Sequence, residues 1–347
     1  MGPGRAAVLR APDRRGRVSS ERRSPGRRGA RRETPRPGPG SAGALTAPAY
    51  PGAVTGTSTG APTALAETEW RERAERHEQR VDALVADHLE RRREGVPHPV
   101  EDFLFTYYNL KPSQLRRWHP GAGTALLGEG ARARLSERFY TELPGGAVGV
   151  DAGAFLAARP VLGFVEGLLS SVASRPAHLG CFGLHEWAMV YRSGRVRHGQ
   201  VPLRLGHEGT DRVVESHRIQ CSHFDAFRFF TEPARPLNTL RPSRERQSEL
   251  DQPGCLHANM DLYKWAYKLS PAMPSELVVD CFELSREIRT LDMRASPYDL
   301  ADLGYEPVRI ETAEGKAAYM EAQRDFAERG AELRERLLEA CRTLRAA

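Results

Sequence analysis

Lysine is almost missing from this chain: Lys111, Lys264, Lys268 and Lys316 are the only four among 51 basic residues. Arginine carries the positive charge everywhere else. A lysine kept in such a sequence marks a place where a compact, deprotonatable amine has a use, as in Schiff-base chemistry. Cysteine is scarce as well. Cys181, Cys221, Cys255, Cys281 and Cys341 form an odd set spread over 347 residues, which excludes a disulfide scaffold and is read as reduced thiols in a cytosol. No stretch approaches the roughly 20 apolar residues of a bilayer-spanning helix. No apolar run follows the N-terminal arginines to serve as the core of a secretory signal. A cytoplasmic protein with no membrane partner is expected. A Walker loop, a dinucleotide-binding glycine fingerprint, a nucleophile elbow and a kinase signature are all missing, and no repeat of solenoid length occurs.

The charge that is present is unevenly divided. The formal net charge is +6, but residues 1–66 hold 12 Arg against only Asp13, Glu21 and Glu33, a net of +9. The remaining 281 residues carry 39 basic and 42 acidic groups, a net of −3. Residues 1–66, built from Arg, Pro, Gly, Ala, Ser and Thr, cannot bury enough apolar surface to offset ordering entropy and are expected to be disordered. They read either as a start codon placed too far upstream in a GC-rich genome or as a basic arm that binds phosphates. Residues 67–347 are ample for a single folded domain without a stabilising metal.

Within that domain the apolar period is mostly helical. Trp70, Ala74, His77, Val81, Leu84, Val85 and Leu89 predict an amphipathic helix from Glu67 to Arg93, stopped by Gly95, Pro97 and Pro99. Pro112 suits the first turn of a brief helix through Trp118. Pro144-Gly145-Gly146 between Phe139-Tyr140 and Val148–Val150 predicts a small β-hairpin. Asp151 and Pro160 open two helices, the second running to about Val172. Thr210-Asp211 is placed as the cap of a helix through Ser216, and Ile219, Cys221 and His223 alternate as a strand does. Residues 231–254 read as a long ordered loop. Asn259 or Asp261 is expected to cap a helix through Leu269, Ser275-Glu276 opens one with a wide apolar stripe from Leu277 to Leu291, and Thr312 opens the last. The fold class expected is mainly α with a minor β component.

Four constellations carry candidate chemistry. In Cys181-Phe182-Gly183-Leu184-His185-Glu186-Trp187-Ala188-Met189, His185 beside Glu186 is not a zinc-protease motif, because the second His at i+4 is Met189. Glu186 against Trp187 is instead a candidate general base. In Cys221-Ser222-His223 and Cys255-Leu256-His257, extended backbone would put each Cys and His on one face, so Cys221, His223, Cys255 and His257 form a candidate tetrahedral Zn²⁺ set, with Glu186 or Asp225 as base. The alternative is buried thiols beside hydrogen-bonded imidazoles. The run Asn259–Lys268 places Asp261, Lys264, Trp265 and Lys268 along a helix, with Lys264 a candidate amine nucleophile or a snorkelling surface lysine. Aromatics are dense: Phe103, Phe105, Tyr107, Tyr108, Trp187, Phe229, Tyr263 and Trp265 serve either as core or as a cage for a flipped base.

The runs His98–Tyr108 (HPVEDFLFTYY), Leu115–Gly121 (LRRWHPG), Gly180–Tyr191 (GCFGLHEWAMVY), Ser216–Thr231 (SHRIQCSHFDAFRFFT), Gln252–Pro271 (QPGCLHANMDLYKWAYKLSP) and Leu291–Glu306 (LDMRASPYDLADLGYE) together resemble an actinobacterial family commonly labelled 3-methyladenine DNA glycosylase. The resemblance spans residues 67 to about 340. It implies a DNA-repair hydrolase that flips an alkylated base from damaged DNA, stacks it and uses a carboxylate to stabilise the sugar cation or activate water, with no cofactor. The carboxylates put forward are Asp225, Asp261 and Glu186, and the contacts to the base Trp187, Tyr263, Trp265, His185 and Lys264. Two other readings stand beside it, a zinc-dependent hydrolase on the Cys/His set and a non-catalytic scaffold.

Overall fold

The computed structural model describes residues 62–194 and 200–347. The arm assigned to residues 1–66 therefore falls, up to residue 61, outside the described residues. Strand β1 (Thr63–Leu65) leads into helix α1 (Glu67–Glu94). Gly95 ends that helix in the left-handed region at φ 71°, and the amide of Val96 reaches back to the Arg91 carbonyl at 2.9 Å. Two short helices follow, α2 (Phe103–Tyr107) and α3 (Pro112–Leu115), and then β2 (Thr124–Leu126), β3 (Tyr140–Glu142) and β4 (Val148–Val150).

The expected hairpin is β3 and β4, antiparallel with Tyr140 opposite Val150 and Glu142 opposite Val148. It belongs to a larger sheet of order β1-β2-β4-β3, in which β1 runs parallel to β2 with Thr63 opposite Thr124. The two three-residue strands Thr-Ala-Leu at 63–65 and 124–126 carry no alternation long enough to announce themselves, and β1 lies in the segment expected to be disordered.

The rest is helical: α4 (Ala152–Ala158), α5 (Leu162–Ala173), α6 (Leu184–Ala188), α7 (Gly206–Glu215), α8 (Phe224–Phe227), α9 (Gln247–Leu250), α10 (Leu256–Lys268), α11 (Ser275–Arg294) and α12 (Ala313–Ala346). Asp151 caps α4 by accepting from the Ala154 amide at 2.8 Å, and the Thr312 hydroxyl caps α12 through the Gly315 amide at 3.0 Å. Helix α7 begins at Gly206, ahead of the expected cap, so Thr210 and Asp211 lie inside it; the Thr210 hydroxyl bonds back to the Gly206 carbonyl. The alternation at 219–223 produces only an isolated bridge between Ile219 and Asn238, because α8 starts at Phe224.

The core lies where α10, α11 and α12 pack together. Met260, Leu262 and Tyr263 of α10 meet Cys281, Phe282 and Ile288 of α11 and Phe326, Leu337 and Cys341 of α12, all buried. Arg80 ties α1 to the outer face of α11 through Asp280 at 2.8 Å and Glu283 at 2.7 Å. Helix α10 starts at Leu256, three residues before the expected cap, and this changes the work of Asn259. Buried in the helix, its amide donates to the Pro253 carbonyl and its oxygen accepts from the buried Arg334 guanidinium at 2.7 Å. Gly330 lets α12 approach this pair, since a Cβ there would overlap Asn259 Oδ1. Gly330→Ala is therefore expected to lower unfolding free energy by about 1–3 kcal/mol, measured by urea denaturation at unchanged m-value.

Candidate active site

Four segments of chain meet beside α10 to build one polar centre. Gly183 adopts φ 65° and turns the chain into α6, so that His185 and Glu186 both enter the core. The α11 stripe contributes two charged residues, Arg289 and Asp292, at 2 % and 0 % exposure. Arg289 Nη1 bonds Glu186 Oε1 at 3.0 Å and Asp292 Oδ2 at 3.1 Å, and its Nη2 reaches the Pro99 carbonyl at 3.4 Å. Glu186 thus answers to Arg289 and does not lean on Trp187, whose indole is buried and donates to the Ala295 carbonyl at 2.9 Å.

The His and Asp residues sort into two neighbouring groups, bridged by His257. His185, His257 and Asp292 have ligand atoms all within 4.8 Å of one another, and so do His223, Asp225 and Asp261. The His257 ring sits edge-on to His185 with centroids 4.5 Å apart and stacks on His223 at 5.4 Å.

In the second group the polar side chains meet partners of opposite character. His223 Nδ1 lies 3.0 Å from Asp251 Oδ1, and Gln247 holds the other Asp251 oxygen at 2.9 Å. Tyr108 donates to Asp261 Oδ1 at 2.9 Å. Lys264 Nζ stands between Asp261 at 2.7 Å and Asp225 at 3.3 Å, and Arg228 Nε is 3.1 Å from Asp225. Burial alone would lower the Lys264 ammonium, but Asp261 and Asp225 outweigh it and hold the group above its ordinary value. Lys264 is accordingly a cation at neutral pH and not a free amine nucleophile. Burial pushes Asp225 up, and Lys264, His223 and Arg228 together bring it below its ordinary value of 3.8. For His223, burial pulls down and Asp251, then Asp261, more than reverse it.

The first group is electrostatically less settled. Burial and the charge of His185 depress His257 well below the usual imidazole range, so it is neutral. For His185 the burial penalty is overcome by Asp292, and Asp292 in turn is held well below the carboxylate range by His185, His257 and Arg289 against its own burial.

A cavity of about 340 Å³ opens against this centre. Phe103, Tyr107 and Phe229 supply its aromatic wall, and Glu186, Asp225, His257 and Arg289 its polar one. Phe103 and Tyr107 stack with centroids 4.9 Å apart, and the Arg289 guanidinium lies 4.0 Å over the Phe103 ring. Of the carboxylates put forward from sequence, Asp225 and Glu186 line the cavity and Asp261 stands behind Asp225. Trp187, Tyr263 and Trp265 do not line it. Tyr263 is buried among Tyr108, Tyr267 and Phe282, and Trp265 faces Phe164 with Lys264 and Lys268 over its ring.

The set Cys221, His223, Cys255 and His257 is not brought together as four ligands. Cys255 is the residue before α10, so His257 lies on helical backbone and leaves the face of its cysteine, while His223 turns into α8. Neither cysteine belongs to a metal-like group among the described residues. Burial pushes the Cys221 thiol up to about 12 and Cys255 well above its ordinary value, and Cys221 Sγ faces the His223 carbonyl at 3.6 Å. Both line, with Cys181, His185 and His257, a void of only about 10 Å³.

Asp292, Arg289 and Asp251 escaped the reading of the sequence as site residues. Arg289 and Asp292 did leave a signal: they fall on the helical line 278, 282, 285, 289, 292, where α11 is otherwise apolar or small and buried. Comparison with protein-family models, curated proteins and solved structures finds no match, so the chemistry rests on this geometry.

Lys264→Met removes the cation between two carboxylates. The expected result is a loss of about 2–3 kcal/mol at neutral pH, since a buried charge is left unpaired. The sign of the pH dependence follows from Asp225. Its depressed value gives stability that is full above 3.8 and is lost as pH falls through the folded value. In the variant the folded value of Asp225 moves back toward 3.8, so that acid loss is smaller and is complete at higher pH, measured as melting temperature against pH from neutrality downward.

Proposed function

We propose that the protein is a hydrolase of N-glycosidic bonds that removes an alkylated purine such as 3-methyladenine from damaged DNA, the activity its sequence resemblance implies. The observation that carries this reading is Asp225, an ionised and half-buried carboxylate on the edge of an aromatic-walled cavity large enough for a single ring system. An alkylated adenine joined to deoxyribose is already a cation. When the bond from its N9 to the anomeric carbon breaks, the electron pair leaves with the base, which departs neutral. Positive charge develops on the sugar, where a fixed carboxylate stabilises it. The oxygen of one water then bonds to the anomeric carbon and its proton passes to solvent. No acid is needed to protonate the leaving group, which agrees with a carboxylate held ionised.

A route for the phosphate backbone is supported by a second cleft of about 320 Å³, about three helical turns further along α10, at Tyr267 and Lys268 against His257 for the first. Arg117, Arg138, Arg159 and Lys268 line it, against Glu137 as the one acidic residue. Arg117 is 3.7 Å from Glu137, while Arg138 rests on the Phe139 ring and Lys268 on Trp265, with no carboxylate partner among the described residues. Elsewhere, Arg91 is paired with Glu101 and Arg116 with Asp82 and Glu78.

Two measurements test the proposal. Asp225→Asn is expected to lower excision of 3-methyladenine from duplex DNA by about 100-fold or more while the melting temperature stays near that of the parent. Wild-type protein without excision activity on such DNA refutes the reading. Arg138→Glu with Arg159→Glu is expected to weaken DNA binding at low salt and to reduce the slope of log affinity against log salt by about 2. An unchanged slope removes the cleft from the DNA interface.

A further inference from the structure

We infer that His185, His257 and Asp292 form a binding site for one divalent transition-metal ion at the floor of the aromatic cavity. This site goes beyond the excision reading and does not depend on it.

The first observation is a pair of atoms that meet at ion-pair distance without good hydrogen-bond geometry. His185 Nε2 and Asp292 Oδ1 are 2.9 Å apart, a distance at which a hydrogen bond is normal, yet neither has a hydrogen-bond partner. The approach is short and the direction is wrong. Both side chains are at least nine-tenths buried, so no solvent satisfies them. Two donor atoms in this relation point at a common third position. Ligands about 2.1 Å from one ion and roughly at right angles are separated by about 3 Å, which is the distance found.

The second observation is His257. It completes a group whose ligand atoms lie within 4.8 Å of one another. His257 also lines the cavity, so an ion held here has positions open toward a substrate.

The third is the surrounding charge. Arg289 holds Asp292 through Oδ2 and leaves Oδ1 free, and it holds Glu186 through Oε1 while buried Glu186 Oε2 has no partner. His185 and Arg289 already offset these two carboxylates, so a metal ion here takes the place of the His185 proton. Glu186 Oε2 is placed to accept a hydrogen bond from water on that cation.

The neighbouring His223, Asp225 and Asp261 group makes the comparison. It has the same residue types at similar spacing, but Lys264 supplies its cation, and Arg228, Tyr108 and Asp251 take up its polar atoms. The lysine fills the role there that an ion fills beside it. Two imidazoles and one carboxylate suit Zn²⁺ or Fe²⁺ and are a poor set for Mg²⁺ or Ca²⁺, which prefer all-oxygen ligands.

The test uses the full-length protein, purified and stripped with a chelator, and titrated with Zn²⁺ and with Co²⁺ as a spectroscopic probe. One equivalent is expected to bind, with visible Co²⁺ bands. His257→Gln is expected to weaken Zn²⁺ affinity by about 100-fold or more and to change those bands, and Asp292→Asn to do the same. His223→Gln is expected to leave the stoichiometry at one. Absence of stoichiometric Zn²⁺ and Co²⁺ binding in the wild-type protein overturns the inference, and because that readout does not use excision activity, it is separate from any failure of the glycosylase proposal. Binding that survives His257→Gln but is lost in Cys221→Ser or Cys255→Ser also overturns it, by moving the ion to the thiols.

Discussion

A guanidinium in the hydrocarbon core organises this molecule. Arg289 at 2 % exposure is viable only because two carboxylates and a carbonyl come to it, since an unpaired buried ion costs several kcal/mol. Meeting that requirement brings α6, α11 and the Pro99 turn to one point. Phe103 follows, packed under the guanidinium at 4.0 Å, and Tyr107 stacks on Phe103. The aromatic wall of the cavity and its polar floor are thus two consequences of one ion network. A change at Arg289 would disturb the core and the cavity together.

Beyond that network the site divides its electrostatic work. The group around Lys264 is internally neutralised, which keeps Asp225 ionised at the cavity edge. The group around Asp292 sets His185 against Asp292 at 2.9 Å and leaves one oxygen of buried Glu186 without a hydrogen-bond partner. The two adjacent groups, two His with one Asp and one His with two Asp, thus differ in that Lys264 stands between the carboxylates of the second. The rarity of lysine acquires a meaning here: a compact ammonium on a flexible stem fits between Asp225 and Asp261, where the broad fork of an arginine would need more room.

Charge on the whole chain and charge on the surface carry different information. Residues 67–347 are slightly acidic in sum, yet among the described residues cations without an ion-pair partner collect in the cleft of Arg138, Arg159 and Lys268, while most other described arginines meet a carboxylate. A local excess of one sign can guide an anionic partner even on a body of opposite net charge.

Much of the architecture was written locally. The helix from Glu67, the Pro-Gly-Gly hairpin, the Asp151 and Thr312 caps and the long apolar stripe of α11 follow from spacing and capping chemistry, which act over a few residues. So does the mainly α class with its minor β part. The short strands at 63–65 and 124–126 were not legible, because three residues show no period and their partners are distant in the chain. The pairing of site residues was equally out of reach. His185 meets Asp292 across 107 positions, and His223 meets Asp251 only because residues 231–254 fold back on themselves. The sequence by itself determined which residue types were on hand and which helices would carry them. Tertiary structure alone decided which imidazole faced which carboxylate, since that depends on how helices pack and on where a buried charge finds its partner.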